Sequence, residues 1–269
     1  MTGAAEPVRP VPRIQQLPQL TEGGPRLTPM IWGRPRLPAL ITELETPSMT
    51  QPTPIRRSRA PRLLDAFCCQ GGAAMGYAHA GFDVTGIDKD PQPRYPFTFI
   101  QGDAIEFIRE HGHEFDFIHA SPPCQHYSRA QKIQQREHPD LIAPTRAALE
   151  AAGRPWVLEN VEEAARELRD PVTLCAAAFG MRTYRHRVFE TGGGFTFVPP
   201  LHPAHWAPLT KMGRPRAAGH FAHYVGNFSG VAEARIDMRV PWMNRECIHP
   251  AYTRHIATAF LTARLGVAA

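Results

Sequence analysis

The chain has 269 residues, of which 43% are hydrophobic, so it is long enough for one large folded domain or two small ones. Its five cysteines are an odd number without a Cys-x-x-Cys pair, which argues against a disulfide framework or a zinc finger and favours a reducing compartment. We find neither an apolar run of about 18 residues nor the apolar core of a signal peptide, so we expect a cytoplasmic protein without a membrane partner.

The net charge of +5 is unevenly distributed along the sequence. Residues 1–62 carry +5, residues 63–170 carry −7 and residues 171–269 carry +7. A basic C-terminal part predicts contact with a polyanion. The alternative is a basic surface that is only solvated.

The folded part begins after a flexible tail. Residues 1–60 are rich in proline and arginine and cannot bury enough apolar surface to offset chain entropy. A strand is predicted at 62–67, and a turn at Gly71 and Gly72 then opens a helix that ends at Gly81.

Apolar runs and helical periodicity alternate through the next hundred residues. The predicted elements are a strand at 84–88, a strand at 98–100, a helix at 104–111, a strand at 115–122, a helix at 141–152 and a strand at 156–159. This βαβ alternation predicts an α/β fold, namely a doubly wound, mostly parallel sheet with helices on both faces and right-handed crossovers.

Three segments of the folded part are distinguished by composition. Residues 61–191 form the cofactor-binding and catalytic domain in this interpretation. Residues 192–240 are rich in Gly and Pro and predict a small, loop-rich recognition subdomain. Residues 241–269 return to the catalytic domain with a helix at 252–265.

A strand end, close-approach glycines and a helix N-terminus come together at Asp65, Phe67, Gly71 and Gly72. This combination is what nucleotide-type cofactors require. Asp88 ends the second strand about twenty residues later, where its carboxylate could accept both ribose hydroxyls.

Asp103 ends the third strand and could accept a hydrogen bond from an adenine amine. For each of these acids the alternative is a role as a helix N-cap or turn residue.

Candidate catalytic side chains follow the fourth and fifth strands. Cys124 lies just beyond a buried strand, where catalytic groups gather in open α/β sheets, although many cysteines are only small core residues. Glu159 ends the next strand, where a buried charge must be paired or protonated. Arg185 and Arg187 alternate as on a strand, so both could face that carboxylate or a ligand, or be solvated.

Taken in order, these stretches resemble the DNA cytosine carbon-5 methyltransferases. The matching stretches are Asp65 to Gly76 for the first motif, Asp88 and Asp103 for the ribose and adenine contacts, Pro123-Cys124-Gln125 for the nucleophile loop, Glu159-Asn160-Val161 for the signature triplet, Thr183 to Arg187 for the arginine motif, and Ile248 to Leu261 for the final helix. The resemblance spans about residues 63–265.

The resemblance implies a Rossmann-like class I methyltransferase fold with S-adenosylmethionine as cofactor and double-stranded DNA as partner. It also implies a monomeric protein in the cytoplasm of a prokaryotic cell or phage-infected host. The implied biological role is DNA methylation within a restriction-modification system. The implied catalytic residues are Cys124, Glu159, Asn160, Arg185 and Arg187. The implied cofactor contacts are Asp65, Phe67, Gly71, Gly72, Asp88, Asp103 and Pro123, and the implied DNA contacts include Gln125 and Ser128.

The sequence departs from the family pattern at three positions. Cys69 stands where the family usually has glycine, Thr183 replaces a usual glutamine, and Glu246 lies near a usual asparagine. These differences bear on cofactor fit and rate more than on the reaction class. The recognition region is also short, at about fifty residues.

The reaction explains the residue types. Cytosine carbon 5 is a poor nucleophile until a thiolate, here from Cys124, adds at carbon 6. Glu159 would hold a proton at N3, and Arg187, with Arg185, would bind the ring oxygen and orient Glu159. The base must be flipped out of the stack for this chemistry.

Three alternatives stay open. The same chemistry could act on tRNA, which the short recognition region permits, or the chain could be a DNA-binding relative without catalytic activity. A zinc protein using His202 and His205 with a cysteine is disfavoured, because His-x-x-His without paired cysteines is a weak ligand pattern.

The tetrapeptide Gly-Arg-Pro-Arg occurs at residues 33–36 and again at residues 213–216. It resembles the core of an AT-hook, so Arg214 and Arg216 are predicted DNA contacts. A coincidental match in an arginine- and proline-rich chain is the alternative.

Overall fold

The computed structural model describes residues 59–127, 138–211, 214–223 and 247–266. The predicted tail therefore lies almost wholly outside the described residues, as do Ser128, Gly213 and Glu246. Residues 224–240 of the predicted recognition subdomain also lie outside them. No described helix combines the length and apolar composition needed to cross a membrane.

Nine strands and four α-helices make up the described fold. The strands are β1 (Arg62–Ala66), β2 (Asp83–Asp88), β3 (Thr98–Gln101), β4 (Phe117–Ala120), β5 (Trp156–Asn160), β6 (Val172–Cys175), β7 (His186–Gly192), β8 (Leu209–Lys211) and β9 (Phe221–His223). The helices are α1 (Gly72–His79), α2 (Ala104–His111), α3 (Ile142–Ala152) and α4 (Pro250–Arg264). Short 3₁₀ helices at Gly112–Glu114, Glu162–Glu167 and Ala176–Phe179 join some of them.

Seven strands form one sheet in the order β3-β2-β1-β4-β5-β7-β6. The pairs from β3 to β5 are all parallel, whereas β7 runs antiparallel to both β5 and β6. This confirms the predicted doubly wound, mostly parallel sheet. Its order reverses between β1 and β4, the place where open α/β sheets form a ligand crevice.

Helices cover both faces of the sheet. On one face, α1 and α4 bury Tyr77, Tyr252 and Phe260 against the strands. On the other face, α2 and α3 bury Ile108 and Leu149. Double coverage explains why β1, β4 and β5 are buried along nearly their whole length.

A second, two-stranded parallel sheet pairs β8 with β9. It connects to the main domain through an isolated bridge between Thr183 and Ala222, where the Ala222 amide donates to the Arg182 carbonyl at 2.8 Å. These strands lie within the predicted recognition subdomain.

Candidate active site

The candidate active site lies at the carboxyl ends of β4 and β5. These neighbouring strands are parallel, with Ala120 paired to Leu158, so they end at the same edge of the sheet. Cys124 follows β4 after a short turn, and Glu159 and Asn160 are the last two residues of β5. The strand order thus brings together the side chains that the two sequence motifs singled out.

Glu159 is buried and pairs with an arginine of the adjacent strand. The Nε of Arg187 lies 2.8 Å from Glu159 Oε1, and both side chains are at most 12% exposed. Yet Oε1 accepts no hydrogen bond of good geometry from any described residue. The contact is therefore an ion pair between two buried groups, without a well-aligned hydrogen bond.

The pKa of the Glu159 carboxyl is raised above its ordinary value. Burial is the largest cause, and the charges of Arg187 and Arg185 and a hydrogen bond from Ser121 oppose it. A raised pKa favours a carboxyl that carries a proton, as a group holding a proton on a substrate ring nitrogen must do.

Cys124 is half-buried, and its surroundings both raise and lower the pKa of its thiol. Burial raises the pKa of the thiol, and the Glu159 charge adds to this effect. The charge of Arg187, and more weakly that of Arg185, favours the thiolate. The two arginines are thus the groups that promote ionisation of this cysteine.

Arg185, like Arg187, is half-buried. Burial and the charge of Arg187 lower its pKa to about 9, so the guanidinium stays positive at neutral pH. Its backbone carbonyl accepts a hydrogen bond of 2.7 Å from the Tyr252 hydroxyl of α4. The C-terminal helix therefore holds the start of β7 in place.

Asn160 positions the turn that presents Cys124. Its side-chain amide donates to the Pro122 carbonyl at 3.0 Å, and its own oxygen accepts from the Val161 amide at 2.9 Å. The Tyr127 amide closes the other side of the turn by donating to the Cys124 carbonyl at 3.0 Å. In the structure Asn160 thus acts on the loop backbone.

The neighbours of Cys124 in sequence differ in exposure. Pro123 is half-buried, whereas Gln125 is exposed, as a residue that contacts DNA would be. The predicted roles of Pro123 in cofactor binding and of Gln125 in DNA binding stay predictions.

A buried chain of polar groups leads to Glu159, and the sequence analysis missed it. Ser121 donates to Glu159, the His119 Nε2 lies 2.8 Å from the Ser121 oxygen, and the Tyr77 hydroxyl lies 3.0 Å from His119 Nδ1. Burial lowers the pKa of His119 to about 3, so its ring is neutral and donates from one nitrogen only. The signal in the sequence was a histidine inside an otherwise apolar strand.

The loop after β1 forms a strained turn next to the crevice. Phe67, Cys69 and Gly71 have positive φ angles of 60°, 46° and 85°. The left-handed region favours glycine, so Cys69 occupies a position where the glycine usual in the family would be unstrained. The cysteine at position 69 therefore carries backbone strain that a glycine would not have.

The two glycines of this turn are required by protein contacts. A Cβ on Gly71 would come within 3.0 Å of Tyr95 and Pro96, and one on Gly72 would lie 2.4 Å from the Ile248 carbonyl. Their absent side chains therefore allow close packing of the chain itself. Direct approach of a cofactor to these glycines, as the sequence predicted, stays a prediction.

Asp65 on β1 and Asp88 at the end of β2 have different hydrogen-bond partners. Asp65 is buried and accepts from the Tyr95 hydroxyl at 3.0 Å, and burial raises its pKa well above the ordinary value. Asp88 accepts from the backbone amides of Cys69 at 2.9 Å and Asp90 at 3.1 Å. A carboxylate has about four acceptor positions, so Asp88 retains capacity for a ligand.

Asp103 is the N-cap of α2. One of its oxygens accepts from the amides of Ile105 at 2.8 Å and Glu106 at 2.9 Å. The helix-capping alternative is therefore what the structure shows. A contact of its second oxygen with an adenine amine stays a prediction.

Among the predicted DNA contacts of the repeated tetrapeptide, Arg214 and Arg216 are both exposed. The Arg214 amide closes a turn onto the Lys211 carbonyl at the end of β8. Neither side chain has a shown role in the fold. Their predicted contact with DNA is therefore compatible with their position.

No protein-family model matches the chain. The sequence is 26% identical over 190 residues to the type II methyltransferase M.AquIA of Picosynechococcus sp., which corresponds to 52% of this chain and 77% of that protein. The chain is therefore similar in sequence to a type II methyltransferase.

Solved structures give weaker similarities. A prophage-encoded Escherichia coli protein assigned as a DNA modification methyltransferase is 23% identical, with a TM-score of 0.36 over 48% of this chain and 45% of that one. The Dnmt2 methyltransferase of S. pombe is 15% identical, with a TM-score of 0.36 over 52% and 53% of the two chains. This chain thus spans about half the length of these structures, and the fold assignment rests on strand order and direction.

Proposed function

We propose that the protein transfers a methyl group from S-adenosylmethionine to carbon 5 of cytosine in double-stranded DNA, with Cys124 as covalent nucleophile. The observation that carries the proposal is the meeting of Cys124, Glu159 and Arg187 at one edge of the sheet. A thiol, a carboxyl with a raised pKa and a guanidinium are the three groups that addition to a cytosine ring requires.

The crevice beside β1 and β2 fits S-adenosylmethionine by the chemistry of its groups. This cofactor presents two ribose hydroxyls, an ammonium group and a sulfonium cation, and two carboxyls lie on these strands, the half-buried Asp88 and Asp65, which is buried against Tyr95. A bound cation would also favour the ionised form of Asp65, which burial otherwise disfavours. When bound, the cofactor supplies an electrophilic methyl group.

The residues of the chain activate the base. The Cys124 thiolate forms a bond to ring carbon 6, and the ring electrons that it displaces make carbon 5 nucleophilic. Protonated Glu159 holds its proton against N3, and the arginines stabilise the negative charge that develops on the ring. After methylation, loss of the carbon-5 proton returns the electron pair and breaks the bond to sulfur, which restores Cys124.

Access to the base depends on DNA binding. The target cytosine must leave the helical stack at a cost of a few kcal/mol. Residues 171–269 carry a net charge of +7, which suits contacts to the phosphates on both sides of the flipped base. Arg214 and Arg216 are exposed and available for such contacts.

Methyl transfer from labelled S-adenosylmethionine tests the proposal. We expect the label in DNA as 5-methylcytosine, and we expect Cys124→Ala to abolish transfer while cofactor affinity stays within about twofold. A label on an exocyclic amine, or transfer that survives in Cys124→Ala, would contradict the mechanism. Label in tRNA and not in DNA would mean that the same reaction acts on tRNA. Label in neither would favour a DNA-binding relative without catalytic activity.

A further inference from the structure

Four potential metal ligands meet at the edge of the sheet, outside the residues of the proposed reaction. They are Cys175, His186, His202 and His205, and one ligand atom of each lies within 4.8 Å of the others. The sequence analysis set aside a zinc site because no paired cysteines are present. The structure assembles the group from side chains that are distant in sequence.

The fold explains how the four side chains meet. Cys175 and His186 are paired directly across the antiparallel strands β6 and β7, so their side chains share one face of the sheet. The chain then continues past β7 and returns with His202 and His205, which are three residues apart. Two ligands thus come from a rigid sheet and two from the loop that follows it.

The distances suit tetrahedral coordination of a single ion. The Cys175 Sγ lies 3.4 Å from His205 Nε2, and His186 Nε2 lies 3.1 Å from His202 Nε2. Around a tetrahedral zinc ion, nitrogen and sulfur ligand atoms are about 3.3 to 3.6 Å apart. Two ligand-to-ligand distances are therefore close to the tetrahedral values, and the others, all within 4.8 Å, need to shorten by at most about 1.5 Å.

A carboxylate orients one of the imidazoles. The Nδ1 of His186 lies 3.1 Å from Glu162 Oε2. Because an ionised carboxylate only accepts, His186 donates from Nδ1 and presents the lone pair of Nε2 to the other ligands. Histidines that bind zinc commonly donate their other ring nitrogen to a carboxylate in this way.

We propose that Cys175, His186, His202 and His205 bind one zinc ion in a structural site. One thiolate and three imidazoles suit zinc, and four protein ligands leave no open position for a reacting water. Binding forms a bond from zinc to the Cys175 sulfur, and the thiol proton is released to solvent.

The site would fasten a loop that hydrophobic burial holds only weakly. Within the segment 198–206 three large apolar side chains are exposed, Val198 at 76%, Leu201 at 93% and Trp206 at 81%. Hydrophobic burial therefore does little to hold this segment. A zinc ion would join it to β6 and to the first residue of β7, next to Arg185 and Arg187.

Metal content of the untagged protein, purified after growth with added zinc and dialysed against metal-free buffer, tests the proposal. We expect about one zinc per chain, and a near-complete loss of zinc in Cys175→Ser and in His202→Ala. His202 is exposed, so its loss leaves the core intact. His79→Ala, which removes an exposed histidine from the end of α1, is the matched control and should retain zinc.

Two further measurements distinguish coordination from adventitious binding. Cobalt(II) in place of zinc should give a sulfur-to-metal charge-transfer band that Cys175→Ser lacks. Glu162→Gln should weaken zinc binding about tenfold to hundredfold in competition with a coloured chelator, whereas Glu163→Gln should not. Absence of zinc from the parent protein, or retention of zinc by both ligand variants, would overturn the proposal.

Discussion

Two buried glutamates, Glu159 on β5 and Glu190 on β7, each meet an arginine, but their hydrogen bonding differs. Both oxygens of Glu190 are bonded by Arg146 of α3, at 2.6 and 2.7 Å, and the Arg169 amide adds a third bond at 3.0 Å. Glu159 has an ion pair with Arg187, and its Oε1 accepts no hydrogen bond from the described residues.

The comparison separates a structural ion pair from a reactive one. The two carboxylates lie on opposite faces of the sheet, because Glu190 is paired with Leu158 and Glu159 with Phe189. The saturated pair joins α3 to the sheet. The unsaturated carboxyl lies beside Cys124, with a raised pKa and one buried oxygen that accepts no hydrogen bond from the described residues.

The first prediction concerns stability. Glu190→Gln leaves Arg146 buried without its counter-charge, so we expect the free energy of unfolding to fall by about 3 kcal/mol or more. Urea denaturation at neutral pH measures this loss. Glu159→Gln serves as the matched variant and should lose clearly less. Equal losses in the two variants would remove the distinction between the ion pairs.

The second prediction concerns the pH dependence of the same two proteins. The folded-state pKa of Glu159 is raised above its ordinary value of 4.5, so the folded protein binds this proton more tightly than the unfolded chain. The stability of the parent relative to Glu159→Gln is therefore highest at low pH. It should decrease as the pH rises from about 4.5 through the raised pKa, and then become constant.

Urea denaturation of both proteins across this pH range measures that difference, and groups that titrate identically in the two proteins cancel. A stability difference that increases with pH would show that the folded state stabilises the charged form of Glu159. That result would contradict the raised pKa.

The third prediction concerns the strained turn at the cofactor crevice. Cys69 has a φ of 46°, which costs a non-glycine residue about 1 to 2 kcal/mol. We expect Cys69→Gly to raise stability by up to about 1 kcal/mol and to tighten S-adenosylmethionine binding several-fold. Calorimetric titration with the cofactor is the measurement, and an unchanged affinity would mean that the cysteine is only tolerated there.

The smallest expected effect concerns the exposed arginines of the recognition region. Replacing Arg214 and Arg216 together by Ala should weaken DNA binding and lower the slope of log affinity against log salt by about one to two. Arg109→Ala, an exposed change on α2 within the acidic half, is the control. Identical slopes for the double variant and the parent protein would show that neither arginine contacts the DNA phosphates.

Sequence reasoning predicted the central sheet well because its strands are short apolar runs between turn formers. All of β1 to β5 and the four helices were predicted, with ends that differ by a few residues. The sequence analysis missed β6, whose residues Val172 and Thr173 are not buried. The antiparallel insertion of β7 between β5 and β6 depends on tertiary pairing that no local pattern specifies.

The site was predicted as far as its residues lie in contiguous motifs. Cys124 and Glu159 could be placed because each follows a recognisable strand. The polar chain through His119 was missed, and a zinc site with His202, His205 and a cysteine was disfavoured, because each group is assembled from side chains on separate elements. The capping role of Asp103 was present in the sequence only as an alternative.

The covalent bond between Cys124 and cytosine is the central claim, and DNA containing 5-fluorocytosine tests it directly, since fluorine blocks the final elimination. With S-adenosylmethionine present, we expect the parent protein and Cys247→Ala to form a stable protein–DNA adduct. Cys124→Ala should form none, and Glu159→Gln should form it about a hundredfold more slowly. An adduct in Cys124→Ala, or an unchanged rate in Glu159→Gln, would contradict the account.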